Sequence, residues 1–298
     1  MKSFITFMEK TEQETFPYIF ESDYRRASTQ EFHYRALKKA IHMMREKYQE
    51  PLTLQDIADT AQLSPYHFNR IFRTMTGIPP SVFLSALRIE AAKKLLLTTN
   101  RSVTDICFDV GYRSLGTFTH RFTQFVGTSP TRLRSLAQTK IMYACLEDIQ
   151  ELIEYLPSFQ GKMNNASITG LVNITIPFSG VIFIGIFRDP LPQGQPLGCA
   201  LLTAPGHYSL PPIPDGHYYL FATALAWSEN FLTALTTGTG LRGKMSHHAI
   251  DICQGTTKEE TRITLHPDSW IDPPILIALP WLIITHLAHW KLQCSMYS

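Results

Sequence analysis

The stretch that decides the fold is RSVTDICFDVGYRSLGTFTHRFTQFVGTSPTRLR, residues 101–134, because its pattern also occurs fifty residues earlier. The residues that recur at this offset are Ser64/Ser114, Phe68/Phe118, Phe72/Phe122, Gly77/Gly127 and Pro80/Pro130. In both copies an Asp-Ile pair and a small residue precede the serine, at residues 56–58 and 105–107. We therefore predict two helix-turn-helix units. Two such units in one chain can contact two turns of DNA without a dimer.

The basic charge of the chain is concentrated in the same region. The whole chain has 27 Lys and Arg against 25 Asp and Glu, a net charge of +2. Residues 33–137 contain 15 basic and 7 acidic side chains, whereas acidic side chains predominate in residues 1–32 and 138–298. A basic block in an otherwise acidic chain is typical of a phosphate-binding surface. Charge alone would fit solvated basic helices equally well, but its coincidence with the repeat favours nucleic acid.

Length and composition predict two domains, because 298 residues with 44% hydrophobic residues can bury two cores. The five cysteines include no CxxC pair, which argues against a disulfide framework or a zinc knuckle and favours a reducing, cytoplasmic compartment. The first 16 residues lack the apolar run of a signal peptide. Ile275–Trp290 is apolar, but it contains Pro280 and is shorter than the roughly 18 residues that span a bilayer. We interpret it as a buried strand or docking segment, with a membrane contact as the second alternative.

Helical spacing and capping residues define the first unit. We expect a helix over residues 33–49, a second over 54–60 capped by Thr53, and a recognition helix that begins at Ser64-Pro65. Its core side carries Phe68, Ile71 and Phe72. Asn can bond adenine, Arg can bond guanine, and an aromatic ring can contact the thymine methyl group. A solvated face is the alternative to base contact for the outward residues, which are Tyr66, His67, Asn69 and Arg70.

A long helix over residues 80–98 connects the first unit to the second and would set their separation, about 34 Å for successive major grooves. Ser102 or Thr104 starts the second unit, and Ser114 caps its recognition helix. This helix has few base-contacting groups, so we expect more permissive sequence recognition from it. Its outward residues are Gly116, Thr117, Thr119 and His120. The residues that we expect at phosphates are Ser64, Arg73, Arg113, Ser114, Arg121 and Arg132, with Arg134 as a further candidate.

Residues 35–137 resemble the AraC/XylS family of bacterial regulators. The stretch quoted above is similar to the family signature, and LTLQDIADTAQLSPYHFNRIFRTMTGIPPSVFLSALRIEAAKKLLLTT is similar to the preceding half of the domain. The resemblance implies seven helices that bind DNA as a bipartite major-groove reader. It also implies that Tyr66, Asn69 and Arg70 contact bases, with Gly116, Thr119 and His120 in the equivalent places. His120 stands where the family frequently has Arg. Cys107 stands where it usually has Ala, so we expect a small buried hydrophobe there.

From Ile168 the chain changes to short β-rich runs separated by Pro and Gly. We predict strands near 168–176, 180–188, 197–203, 206–211, 217–226, 247–253 and 261–266. Seven short strands at this spacing predict a β-sandwich. Residues 168–222, with PGHYSL and PDGHYYL, resemble transthyretin-like or carboxypeptidase-regulatory-like β-sandwiches. That resemblance implies a structural or ligand-binding module.

The predicted fold class is α + β multidomain, in which an all-α paired helix-turn-helix domain precedes a small all-β, sandwich-like domain. Residues 1–32 would be a poorly structured arm and 33–137 the DNA-binding domain. Residues 138–166 would form an amphipathic helix and a linker. The apolar seam of that helix either packs on the neighbouring domain or pairs two copies of the chain. A further helix is expected at Ser228–Thr237. Residues 167–298 would form the β-domain.

We predict no enzyme, no catalytic residue and no cofactor. The chain has no G-x-S-x-G, no P-loop and no G-x-G-x-x-G after a strand. The pairs His247-His248 and His286/His289 have too few neighbouring ligands for a metal ion. A methyl-acceptor protein with this DNA-binding domain would need cysteines upstream, and none precedes Cys107.

The prediction is a sequence-specific transcription regulator, activator or repressor, whose β-domain senses a ligand or mediates assembly. The alternative is a β-sandwich interaction or carbohydrate-binding module in which DNA binding is secondary. The expected partner is double-stranded DNA. A small-molecule effector, a second copy of the chain and, for an activator, RNA polymerase stay open. We expect no membrane partner.

Overall fold

The computed structural model describes residues 21–138, 168–226, 241–244, 249–257 and 260–277. Over residues 21–138 the chain forms a helical domain. Its helices are α1 (Glu21–Lys47), α2 (Leu54–Thr60), α3 (Pro65–Thr76), α4 (Pro80–Thr98), α5 (Val103–Asp109), α6 (Leu115–Val126) and α7 (Pro130–Gln138). None of the described helices combines the length and apolarity that crossing a membrane requires.

The helices begin and end where the capping residues predict. Thr53 forms a reciprocal capping box with Asp56, in which each side chain accepts a hydrogen bond from the other residue's backbone N–H. Ser64 and Ser114 are the N-caps of α3 and α6. Both helices end at a glycine with positive φ, 82° at Gly77 and 86° at Gly127, a conformation that glycine adopts without strain. The repeat therefore gives two helix pairs with the same local construction.

The two units share one hydrophobic core. In the first unit the rings of Phe68 and Phe72 lie 5.4 Å apart, and in the second Phe118 and Phe122 lie 5.6 Å apart. Phe83 of α4 meets Phe72 edge-on at 5.5 Å, so the connector helix is packed directly against the first recognition helix. All five rings are fully buried, and the Phe72–Phe83 contact fixes the orientation of the first recognition helix relative to α4.

The first helix is longer than the sequence pattern indicated. We expected it to begin at residue 33 after a poorly structured arm, whereas α1 begins at Glu21. Residues 29–32 are exposed, so these four residues of the extension carry no buried apolar stripe. An ion pair of 2.7 Å between Arg35 and Glu31, one turn apart, supports the helix there. Residues 1–20 and the predicted helix at Ser228–Thr237 lie outside the described residues. Of the predicted amphipathic helix and linker, residues 138–166, only Gln138 is described, at the end of α7.

The β-domain confirms the seven predicted strand positions and adds two short strands. The strands are β1 (Ile168–Ile174), β2 (Gly180–Phe187), β3 (Gly198–Leu202), β4 (Gly206–Leu210), β5 (Gly216–Ala226), β6 (Leu241–Lys244), β7 (Ile250–Cys253), β8 (Thr256–Thr257) and β9 (Thr261–Pro267). The strands β6 and β8 were not predicted, because four and two residues are too short for a periodic signal.

These strands form one hydrogen-bonded sheet in the order β3-β2-β5-β6-β9-β1-β4, with β7 and β8 branching from β5. Strands β3 and β4, at the two ends of this path, lie against each other, so the sheet is nearly closed around its core. The coarse expectation of a β-rich second domain is confirmed. Tyr208 and Tyr218 are buried in this core, and the hydroxyl of Tyr208 is hydrogen-bonded to Thr261.

Candidate nucleic-acid interface

The first recognition helix, α3, presents its predicted base-contacting residues to solvent. Tyr66 is 83% exposed, Arg70 is also exposed, and His67 and Asn69 are half-buried. The opposite face of α3 is buried in the domain core through Phe68, Ile71 and Phe72. The outward placement of the set is thus confirmed, while its contact with bases stays a prediction.

His33, for which the sequence pattern indicates no role, lies beside this surface. Its ring is 5.4 Å from the ring of His67 and meets it edge-on, and the Arg70 guanidinium lies 3.3 Å from His67 Nδ1. Burial lowers the pKa of His33, and the neighbouring His67 and Arg70 lower it further because a second cation is unfavourable there. Helical spacing places His33 one turn before Leu37, but it does not show that His33 packs against His67 of α3.

The second recognition helix, α6, presents Gly116, Thr117 and His120 as exposed residues and Thr119 as half-buried. An open groove of about 990 Å³ lies along this face, and its described lining is Leu115, Gly116, Thr119, His120, Thr123 and Gln124. The space beside Gly116 is open, since a Cβ there would meet only Ser114 Oγ at 3.8 Å. In the predicted base-contacting set of α6, only the two threonines and His120 offer side-chain hydrogen bonds, and the contact of this set with bases stays a prediction.

Four arginines predicted at phosphates, Arg73, Arg113, Arg121 and Arg132, are exposed. Ser64 and Ser114 are exposed too, and their hydroxyl oxygens accept the backbone N–H of His67 and Thr117, each at 3.4 Å. Each serine therefore lies at the exposed start of its recognition helix. Backbone N–H groups at an exposed helix N-terminus can bind phosphate oxygens, and the phosphate contacts of the two serines stay a prediction.

Some basic residues of the helical domain serve its own packing instead. Arg88 donates to the carbonyl oxygens of Tyr48 and Glu50, each at 2.7 Å, and so ties the end of α1 to α4. Arg134, the further phosphate candidate, is half-buried and donates to the Leu96 carbonyl at 3.4 Å. Lys93 is buried. The positive surface is therefore smaller than the charge count suggested.

Among the described residues, no group of three or more His, Cys, Asp or Glu side chains is arranged to hold a metal ion. The two histidine pairs weighed in the sequence analysis lie outside the described residues. Cys107 is fully buried as predicted, and burial raises the pKa of its thiol, which disfavours the reactive thiolate.

Comparison with known proteins identifies the helical region. Residues 57–135 match the family model described as "Helix-turn-helix domain". The bifunctional transcriptional activator/DNA repair enzyme AdaA of Bacillus subtilis (strain 168) is 34% identical over 98 residues, which cover 33% of this chain and 46% of that protein. The melibiose operon regulatory protein of Escherichia coli (strain K12) is 29% identical over 104 residues, covering 35% of this chain and 34% of that protein. The chain thus spans less than half the length of these two relatives.

A solved structure is similar over the same share of the chain. The C-terminal domain of the two-component response regulator yesN from Fusobacterium nucleatum subsp. nucleatum ATCC 25586 is 28% identical with a TM-score of 0.33. The match covers 34% of this chain and 98% of that domain. The family match and the regulator relatives together support a helix-turn-helix domain over residues 57–135 of this chain.

Proposed function

We propose that this protein is a sequence-specific DNA-binding transcription regulator that places α3 and α6 in two successive segments of the major groove. One observation carries the proposal: two capped recognition helices share a core and expose equivalent faces. Similarity to the activator and operon-regulator relatives supports regulation of transcription as the outcome of binding. The β-sandwich alternative with secondary DNA binding is not favoured, because no comparable support exists for it.

Within this proposal, Tyr66, His67, Asn69 and Arg70 contact the bases of one half-site. The second half-site is recognised through Gly116, Thr117, Thr119 and His120, with weaker discrimination because only His120 and the threonines offer hydrogen bonds. Contacts with DNA phosphates fix the position of both recognition helices on the duplex. The residues that make them are Ser64, Arg73, Arg113, Ser114, Arg121 and Arg132. This division assigns specificity mainly to the first unit.

We further propose that the β-domain senses a small-molecule effector or mediates assembly of the regulator, including a homodimer. Its resemblance to transthyretin-like β-sandwiches supports a structural or ligand-binding role and no catalytic one. RNA polymerase would be the partner of an activator. The cytoplasm is the compartment in which such a regulator would act.

The test compares two arginines on one helix. The full chain is first used to select a duplex from a random pool. Arg70→Ala should then weaken binding to that duplex by about 1–3 kcal/mol and relax discrimination at one base pair, if Arg70 contacts a guanine. Arg73→Ala, the matched phosphate variant, should weaken binding to all sequences alike. It should also reduce the slope of log binding constant against log salt concentration by about one.

Fluorescence-anisotropy titrations at several salt concentrations separate these outcomes. Unchanged affinity and unchanged discrimination in Arg70→Ala would remove this residue from the base-contacting set. If the unmodified chain enriches no sequence at all, the proposed function itself is wrong.

A further inference from the structure

The segment after β9, residues 268–277, leaves the β-domain and crosses the helical domain; we name it the strap. Trp270 packs edge-on against Tyr34 of α1 with ring centroids 5.0 Å apart, and its indole N–H donates to the Tyr34 hydroxyl at 3.0 Å. Leu276 is fully buried and belongs to the core of the helical domain. The strap is therefore part of the helical domain's packing although it follows the β-domain in sequence.

Two cations of the helical domain are held by backbone oxygens of the strap. Arg45 of α1 donates to the carbonyl oxygens of Trp270 at 3.4 Å and Asp272 at 3.1 Å. Lys93 of α4, only 2% exposed, donates to the carbonyl oxygens of Ile275 at 3.0 Å and Leu276 at 3.3 Å. A buried ammonium group needs such acceptors, so release of the strap would leave Lys93 to be solvated. Helices α1 and α4 thus hold the same segment.

The other side of the strap is fastened to the β-domain. Arg242 of β6, whose side chain is 10% exposed, donates to the Pro273 carbonyl at 2.8 Å and pairs with Asp268 at 3.1 Å. Strand β6 pairs with β9, and β9 continues directly into the strap. A shift of β6 and β9 would therefore also move the strap.

The β-domain also reaches the second unit through the loop between β2 and β3. Leu191 of this loop is buried in the helical core, and the Gly194 N–H donates to the Phe125 carbonyl in the last turn of α6 at 3.3 Å. At the end of α6 the approach is close, because a Cβ on Gly127 would lie 3.3 Å from the Gly194 backbone. The strap therefore contacts α1 and the connector α4, and the β2–β3 loop of the β-domain contacts the second recognition helix.

We propose that the strap locks the β-domain to α4 and thereby limits the separations that the two recognition helices adopt, so that changes in the β-domain reach the DNA-binding surface through residues 268–277. Its consequence for DNA rests on the proposed function. The docking and its effect on the two units are properties of the free protein and are tested without DNA.

Two variants of the full chain release the strap in different ways. Lys93→Met removes the donor to both carbonyls, and Leu276→Ala empties its place in the core. Lys94→Met is the matched control for the first, because Lys94 is the exposed neighbour on the same helix. Leu133→Ala is the control for the second, because Leu133 of α7 is a buried leucine of the same helical core that does not belong to the strap.

Hydrogen exchange measures the docking. We expect the backbone amides of residues 270–272 and 275–277 to exchange at least about tenfold faster in both strap variants than in their controls, because local opening replaces a docked segment. Pulsed EPR measures the spacing between units. Nitroxide labels carried by non-natural amino acids at the exposed positions Gln55 of α2 and Thr104 of α5 should give one narrow distance distribution in the control variants and a broader one in the strap variants.

Each outcome decides the inference. Unchanged exchange in both strap variants means that these contacts do not hold the segment. Faster exchange with an unchanged distance distribution means that the strap docks without limiting the two units, and the proposal is then wrong.

A third experiment titrates duplexes whose half-sites are moved apart by one or two base pairs. The strap variants should tolerate the change better than the controls, and absence of DNA binding by the unmodified chain would refute the proposed function while leaving the two DNA-free arms intact.

Discussion

Replacement of the buried Lys93 should alter the pH dependence of stability in the helical domain. Burial lowers the pKa of this amine from 10.5 to about 8; Glu90 opposes the change and Arg242 adds to it. Because the folded pKa lies below the unfolded value, the unfolded chain binds more protons between these two pH values. The free energy of unfolding therefore rises with pH across this window. At about 1.4 kcal/mol for each pKa unit, the full rise amounts to roughly 3 kcal/mol.

Urea unfolding of the full chain from about pH 7.5 to about pH 9.5 measures part of this rise. Lys93→Met should lack it, and Lys94→Met, which changes an exposed amine, should keep it. Cys199 and Tyr208 have pKa values raised by burial to about 11 and about 12, so they lower stability at alkaline pH in every variant alike. The difference between the two lysine variants isolates Lys93. A difference that does not change with pH would refute the burial of this amine beneath the strap.

Two further substitutions test the local construction of the helix-turn-helix units by thermal or urea unfolding. Gly111→Ala should lower the free energy of unfolding by about 2–4 kcal/mol, because φ is +88° and the new Cβ would lie 2.6 Å from the Gln49 carbonyl oxygen. Gly116→Ala, which meets nothing closer than 3.8 Å, is its control, and equal losses in both variants would contradict this reasoning. Thr53→Ala should cost about 1 kcal/mol through loss of the cap on α2. Thr53→Ser should restore most of it, and no loss in the alanine variant would mean that the capping box contributes nothing.

Helix starts and strand positions were predictable because their signals are local. Ser64 and Ser114 each accept the backbone N–H three residues ahead, and Gly77 and Gly127 supply the positive φ that ends each recognition helix. The strand ends are also marked locally, because turns that contain Pro and Gly separate the strands. The exposed faces of α3 and α6 follow from the same helical spacing, so the candidate interface could be located from sequence.

Contacts between distant segments were not predictable, because periodicity shows that a residue is buried but not what covers it. The apolar stretch from Ile275 was interpreted as a buried strand or docking segment, and its described part, at Leu276, does dock in the helical core. Nothing in the sequence shows that Lys93 would be covered by this segment, or that His33 would lie against His67. The extension of α1 to Glu21 is solvated where its side chains are described, and a solvated helix shows no apolar period.

Capture of genomic DNA by the full chain, followed by footprinting of the enriched duplex, shows where α3 and α6 bind. We expect two protected half-sites on one face of the duplex with centres about 10–10.5 base pairs apart. We also expect stronger base preference in the half-site that loses specificity when Arg70 is replaced. A single protected half-site, or two half-sites on opposite faces of the duplex, would contradict the claim that α3 and α6 enter successive major grooves together.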